Sequence, residues 1–221
     1  MYYHFYVVGC GGTGSLLARD LPKLFIRTSI SMTLVDGDIV ETKNILRQSY
    51  QMQDVGENKA AVLSKKINSL YQIKSYAIEK YLTRDEIILD INKLETNVIP
   101  VIIGCVDNDK TREILENTFK QLENVVYIDS ANGEYEGNLY ITRRKGGVQY
   151  GKLRSESYTL SDDLHPLDES CEVQTSKGNV QFLVTNAKMA VAILEHCNRL
   201  LEYQLKEGVQ VVKRFETVFY D

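Results

Sequence analysis

The apolar run YVVG at Tyr6–Gly9 leads into four glycines within six positions, Gly9, Gly11, Gly12 and Gly14, and the chain leaves them as SLLARDL. Few folds accommodate that order of residues. Glycines let the backbone turn sharply between a strand and a helix and let a ligand approach the main chain closely. Free N–H groups and the dipole at the helix start then favour an anionic phosphate. The chain is expected to open a nucleotide-binding α/β fold. Dehydrogenases, flavoproteins and nucleotide-activating enzymes share this opening, so the loop by itself leaves the chemistry undecided.

Strand and helix alternate through the first two-thirds in the manner of a doubly wound, Rossmann-like parallel sheet. FYVVG reads as the first strand, Thr13 to about Phe25 as a helix that Pro22 kinks or restarts with Asp20 as N-cap, and SMTLVD as the second strand. ENKAAVLSKKINSLY is helical with Ala60, Leu63, Ile67 and Leu70 on one face, and IKSYAIE is a third strand. VIPVIIGCVDN is a continuous β-branched run that needs helices on both sides of its sheet. DKTREILENTFKQL follows as a helix and VVYIDSANG as a strand. EGNLYITRR and GGVQYGKLR then alternate around a glycine turn, which predicts antiparallel strands in the C-terminal part of the sheet.

Residues 155–176 have no period and read as a long loop, at about 155–179 in all. After it, Val180, Leu183, Val184, Ala187, Ala190, Val191, Leu194, Cys197 and Leu201 recur at helical spacing as the buried face of an amphipathic helix. GVQVVKRFETVFYD is expected to close the chain as one strand, leaving Val209, Val211, Phe215 and Phe219 as an apolar edge that needs cover. At 221 residues the chain is expected to form a single domain over 1–221.

A net charge of −4 argues against bulk nucleic-acid binding, and the one basic cluster, TRRKGG at 142–147, reads as a solvated hairpin end. No run of 18 apolar residues and no basic-then-apolar leader is present, so neither a membrane span nor secretion is expected, and the chain is placed in the cytoplasm. The four cysteines lie far apart without a C-x-x-C pair, which argues against structural zinc and a disulfide framework. Cys10, Cys105 and Cys197 are read as packing residues, His4 and His196 as structural, and His165 as solvated.

The chemistry lies in VDGDIVETKNILRQ, DVGENKAAVL and GCVDN. Asp36, at the end of the second strand, can accept hydrogen bonds from the two hydroxyls of a ribose, which suits a dehydrogenase equally well. A dinucleotide oxidoreductase has no need of Arg47 and Lys59 just after that strand, whereas a triphosphate carrying about four negative charges does. Asp107, directly after VIIGCV, can serve Mg²⁺, which takes one or two carboxylates plus phosphate oxygens and water. The alternative for Asp107 is a strand-end turn or a cap on the next helix within DNDKT. The combination favours ATP-Mg over NAD.

From the glycine loop through VD-x-D-x-V-E-x-x-N-x-x-R-Q, D-x-G-x-x-K-A and C-V-D-N to SCEVQTSKGNV, the chain resembles the ThiF/MoeB-type adenylating enzymes, the superfamily that includes the ubiquitin-activating enzymes. The resemblance implies that Gly9, Gly11, Gly12, Gly14 and Asp36 hold the nucleotide. It implies further that Asn44, Arg47 and Lys59 grip the phosphates, that Asp107 binds Mg²⁺, and that Asp38 and Gln48 support them. The implied reaction is attack of the C-terminal carboxylate of a small ubiquitin-like protein or peptide on the α-phosphate of ATP. Cys171 matches a position where several relatives carry a cysteine that takes the activated carboxylate, although Glu169 and Glu172 oppose its ionisation. Relatives pair as homodimers. Two departures stand out: the chain starts at its first strand without the arginine-bearing segment that relatives lend to a partner's site, and it lacks zinc cysteines. Its shortness is similar to the ThiF-family proteins of the PRTRC system. A non-catalytic relative using the fold as an interaction platform is the alternative.

Overall fold

The two most apolar runs form the centre of the sheet. Strand β1 (Tyr2–Val8) lies parallel and in register with β4 (Val98–Gly104), and residues 3–8 of β1 are buried. The computed structural model describes residues 2–83, 86–161 and 183–221. Strand β2 (Ser31–Val35) pairs with the other side of β1, β3 (Ser75–Ile78) flanks β2, and β5 (Val125–Asn132) flanks β4, all parallel. Strand order β3-β2-β1-β4-β5 reverses between β1 and β4. In an open α/β sheet that reversal leaves a crevice at the carboxyl ends of the strands, where ligands bind.

The C-terminal part of the sheet is antiparallel, as expected. β6 (Gly137–Lys145) pairs with β5, β7 (Val148–Tyr150) folds back on β6, and β8 (Gly208–Val212) and β9 (Thr217–Tyr220) complete the sheet. The β6–β7 connection is a two-residue turn, Gly146 and Gly147, with φ of 56° and 79°. Positive φ at both positions is the demand of a tight hairpin turn whose twist matches its strands. The basic cluster therefore sits at a hairpin end, and its arginines serve the fold: Arg143 pairs with Glu207 at 2.7 Å and Arg144 Nε donates to the Leu122 carbonyl at 2.8 Å.

Alternation along β1 divides the core into two layers. Phe5 and Val7 face α1 (Gly12–Asp20), α2 (Lys59–Tyr71) and the long C-terminal helix, through Leu17, Leu63 and Ile193. Tyr6 and Val8 face α3 (Glu86–Ile91) and α4 (Asp109–Gln121), through Ile87, Leu115 and Phe119. Helix α1 stops at Asp20 and restarts as a 3₁₀ turn, Leu21–Phe25, with Pro22 in its first turn. Asp20 occupies the capping position, but its carboxylate accepts from Arg19 and Lys23 at 2.6 Å instead of capping backbone.

Three expectations are corrected. Leu70 does not join the buried face of α2; it is 71% exposed at the helix end. The final segment is a β8–β9 hairpin with Phe215 exposed between the strands, while Phe219 packs against His196 with ring centroids 5.9 Å apart. Helix α5 (Leu183–Leu201) keeps Ala190 and Cys197 of the expected stripe in the core, with Ala187, Leu194 and Leu201 half-buried against it, but turns Leu183, Val184 and Val191 outward. Thr185, Asn186, Met189, Ile193, His196, Cys197 and Leu200 point inward, and Val184 and Val191 stand 65% and 63% exposed. The rotation follows from polar partners inside: Thr185 Oγ1 donates to the Glu134 carbonyl at 2.8 Å, and His196 Nε2 meets Gln210 Oε1 at 2.7 Å. His4 is likewise structural, held by Ser31 and Thr33 at 2.7 and 2.8 Å. Val180, His165 and Cys171, with most of the expected loop, lie outside the described residues.

Arg154 ties the two halves of the sheet together. Its guanidinium donates to the fully buried Asp129 on β5 and to Asn138 Oδ1 on β6 at 2.6 Å, and lies 4.7 Å over the Tyr140 ring. Arg112 approaches the same carboxylate at 3.4 Å. Removing Arg154 takes a charge-assisted hydrogen bond from the buried carboxylate and leaves it Arg112 alone, so Arg154→Ala is expected to cost about 1.5–3 kcal/mol in urea unfolding. A loss below about 1 kcal/mol, the value of an exposed pair, would contradict this account.

Candidate nucleotide site

The carboxyl ends of β1, β2 and β4 meet around the glycine loop. Gly9 has φ of 87°, and a side chain there would stand 2.6 Å from the Cys105 carbonyl, so the loop runs directly over the end of β4. A side chain at Gly14 would collide with the Gly9 carbonyl, which locks α1 onto the strand it follows. Gly12 is occupied on its open side by Asn186 of α5. Among the described residues, Gly11 alone of the four has no atom within 4 Å of where a side chain would begin, and it caps α1 without a side-chain acceptor. The loop thus presents an open backbone and a bare helix start at one residue.

Asp36 is bound to that loop. Its Oδ2 accepts from the Cys10 amide at 2.6 Å and its Oδ1 from the Asp38 amide at 2.8 Å. Burial raises its pKa from 3.8 to about 6, with Lys59 opposing and Asp38 adding to the rise. Lys59, at the start of α2, is 6% exposed and donates to Asp38 Oδ2 at 2.7 Å. Burial depresses the ammonium, and Asp36 and Asp38 together outweigh it, so its pKa lies above the ordinary lysine value. Burial likewise raises Asp38, but Lys59 more than offsets it and holds Asp38 low. Two carboxylates around one lysine are pushed in opposite directions, as expected of a coupled cluster.

Asn58 builds the start of α2 by accepting from Ala61 N–H at 3.0 Å while its Nδ2 donates to the carbonyls of Asp36 and Asp38. Asn44 is buried, and its Oδ1 accepts from the Glu41 amide at 2.8 Å, shaping the turn that carries Arg47 and Gln48. That turn is tied to α1 through the Ser49 amide, which donates to Ser15 Oγ at 3.0 Å. Arg47 is half-buried, and Gln48 Oε1 is buried without an acceptor role among the described residues. Asp107 is exposed at the end of β4, and the cap of α4 is Asn108, whose Oδ1 accepts from Thr111 N–H at 2.8 Å. The capping alternative for Asp107 is thereby removed.

Two aromatic residues of the site escaped the sequence reading. Tyr50 is buried and donates from its hydroxyl to the Cys10 carbonyl at 2.7 Å, fixing the loop from below. Tyr81 donates to Asp38, its ring stands 2.6 Å from where a Gly37 side chain would begin, and its phenol is raised by burial and by Asp38, Asp36 and Asp107. Its position just beyond the end of β3, on the same rim as Asp36 and Asp107, was the available signal. Cys10 and Cys197 are buried and Cys105 half-buried, all as free thiols. Among the described residues no group of three or more His, Cys, Asp or Glu side chains is placed to hold a metal, and no helix is long and apolar enough to cross a membrane.

The family model for ThiF matches residues 2–214. The chain belongs to the ThiF family. Among curated relatives, the ThiF chain is 30% identical over 148 residues to mouse adenylyltransferase and sulfurtransferase MOCS3, covering 65% of this chain and 30% of that one. It is 33% identical over 64 residues to the ATP-dependent ubiquitin transferase-like protein Cap2 of Enterobacter hormaechei, which covers 29% of this chain and 10% of that one. E. coli MccB, crystallised with AMPCPP and MccA, superposes with a TM-score of 0.70 at 16% identity over 98% of this chain and 62% of its own. That likeness establishes the fold, a Rossmann-like sheet with antiparallel C-terminal strands. The chain spans less than two-thirds of each of these proteins.

Asp36 gives a pH signature. A carboxyl raised from 3.8 to about 6 binds a proton more readily in the folded state, so its favourable contribution is complete below pH about 4 and is lost as pH rises through about 6. The unfolding free energy of the wild type relative to Asp36→Asn is therefore expected to fall between pH 4 and 6. Denaturant titrations at intervals across that window measure it, and a flat difference would sink the assignment.

Proposed function

We propose that this ThiF-family chain, as one adenylation domain, uses ATP to activate the C-terminal carboxylate of a small ubiquitin-like protein or peptide. The observation that carries the proposal is the cluster at the strand ends. Asp36 lies under an open glycine loop, and the buried Lys59, ion-paired with Asp38 and in the field of Asp36, stands beside it. The names of relatives agree with it: MOCS3 is an adenylyltransferase, and MccB has been crystallised with ATP and with N-formylated MccA.

In this reading the ribose hydroxyls bond Asp36, the phosphates cross the start of α1 at Gly11, and Arg47 and Lys59 meet the polyphosphate. Lys59 is already charged, desolvated and oriented by Asp38, so engaging a phosphate exchanges one anion for another at a prearranged cation. A carboxylate oxygen attacks the α-phosphorus, the bond from that phosphorus to the bridging oxygen breaks, and pyrophosphate leaves with the electron pair. An α-carboxyl of pKa roughly 3.5 is ionised at neutral pH, so no general base is needed. Asp107 fits a magnesium ion that arrives on the triphosphate, since that ion takes only one or two protein carboxylates. When bound, the ion neutralises phosphate charge. Cys171, outside the described residues, is the candidate acceptor of the activated carboxylate.

The test is ATP–pyrophosphate exchange with a panel of candidate partners, preceded by thermal shift. ATP-Mg at a hundredfold its dissociation constant is expected to stabilise the fold by about 2.7 kcal/mol, and NAD is expected not to. Stabilisation by NAD alone would end the proposal, and ATP binding without exchange for any partner would favour an interaction platform. Asp107→Ala is expected to abolish magnesium-dependent exchange with the melting temperature retained. Arg47→Ala is expected to weaken ATP by about tenfold or more, the loss of a charge-assisted bond, and to leave AMP nearly unchanged. Equal losses for the two nucleotides would remove Arg47 from the polyphosphate.

We also infer a homodimer, supported by a face other than the terminal strand. Val184 and Val191 of α5 are largely exposed beside Leu16 and Ala187, an apolar strip that a second copy can cover. Sedimentation at micromolar concentration should give twice the chain mass, and Val191→Glu should give the single chain. A wild-type protein that sediments as a monomer would refute the pairing.

A further inference from the structure

Gly12 lacks a side chain because Asn186 fills that space. Asn186 is fully buried on the inner face of α5, and its Oδ1 accepts from Asn132 Nδ2 at 3.0 Å. Asn132 Oδ1 in turn accepts from Thr13 Oγ1 at 3.3 Å. This chain of contacts orients the amide. With its oxygen turned to Asn132, the Asn186 Nδ2 faces Gly12, buried and without an acceptor among the described residues. A buried N–H left unpaired costs at least as much as a hydrogen bond contributes, and an apolar residue at this position would avoid that cost.

The glycine loop has two flanks. On the β2 side, the Cys10 amide is bound to Asp36, and Lys59 and Asp38 stand beyond it. On the β5 side, Gly12 rests against Asn186, with Asn132 and Thr13 next to it. Gly11 lies between them, facing open space at the uncapped start of α1. Displacement at a phosphorus runs in line, so the incoming carboxylate and the departing pyrophosphate occupy opposite sides. With Lys59 drawing the polyphosphate to the β2 flank, the carboxylate arrives on the β5 flank.

We propose that Asn186 binds the acyl arm of the adenylate, donating from Nδ2 to its carbonyl oxygen, while Asn132 and Thr13 hold the amide in that orientation. The inference rests on the adenylation reading above and assigns the side on which the partner's carboxyl terminus enters.

Glycyl-sulfamoyladenosine, a stable analogue that carries the smallest aminoacyl arm, can be compared with AMP by calorimetry. The wild type is expected to bind the analogue about tenfold more tightly than AMP, the worth of about one hydrogen bond to the arm. Asn186→Ala should bring that ratio close to one, and Asn132→Ala, on a half-buried residue more tolerant of change, should lower it in the same direction. Asn132→Ala carries the test where Asn186→Ala does not fold. A merely structural role would weaken both ligands together and leave the ratio intact, which would overturn the proposal. Wild-type protein that binds AMP but gains nothing from the acyl arm would overturn it while sparing the adenylation reading. Wild-type protein that binds neither ligand would overturn both.

Discussion

The site depends on backbone meeting backbone. Gly14 rests on the Gly9 carbonyl and Gly9 on the Cys105 carbonyl, so helix α1, strand β1 and strand β4 converge with no side chain between them. A loop held that closely has little freedom, and its shape does not have to be organised by ligand. Cys105 N–H also donates to the Val8 carbonyl at 2.7 Å, extending the parallel ladder to the last residue before the crevice. Asp36, Tyr50 and Asn186 then grip the loop from three sides, one from each neighbouring layer.

The electrostatics of the crevice follow from that tightness. Asp36 loses solvent beneath the loop and rises toward neutrality, and Lys59 stays charged because Asp38 faces it. The cluster sets one lysine against two carboxylates, so it is not positive as it stands. An anion entering it therefore competes with carboxylates already present, which favours a multiply charged ligand over a singly charged one. Tyr81, bonded to Asp38 and in the field of Asp36 and Asp107, is placed to sense that exchange.

Much of this was legible in the residues. The glycine spacing, the β-branched strands and the acid after the second strand each have a local cause, and they recur in the structure where the sequence puts them. The hairpin turn at Gly146–Gly147 was legible for the same reason. Helix α5 was read only in part, because polar residues join its inner face through partners on other elements. Asn186 and Thr185 look like surface residues until Asn132 and Glu134 are seen opposite them, whereas His196, read as structural, meets Gln210. Tyr50 was missed because nothing in its neighbourhood along the chain marks it, Tyr81 because its only mark is its place just beyond β3, and Leu70 was overcounted because the period of α2 outlasts its contact with the core. The grouping of Asp36, Asp38 and Lys59 was foreseen, whereas their mutual neutralisation emerges only from distances.

The antiparallel extension of the sheet also sets a length scale. Asn132, Gly137 and Val212 lie in register, so the Lys213–Glu216 turn, with Phe215 fully displayed, shares a rim with the glycine loop. From β1 across β4, β5 and β6 to β8 there are four strand spacings of about 4.8 Å, about 19 Å in all. An extended chain advances about 3.3–3.6 Å per residue. A globular body resting on that turn would need a free tail of about six residues to bring its last carbon to Gly11. The width of the sheet thus fixes a separation of about 19 Å between that turn and the glycine loop, a span that about six extended residues cover.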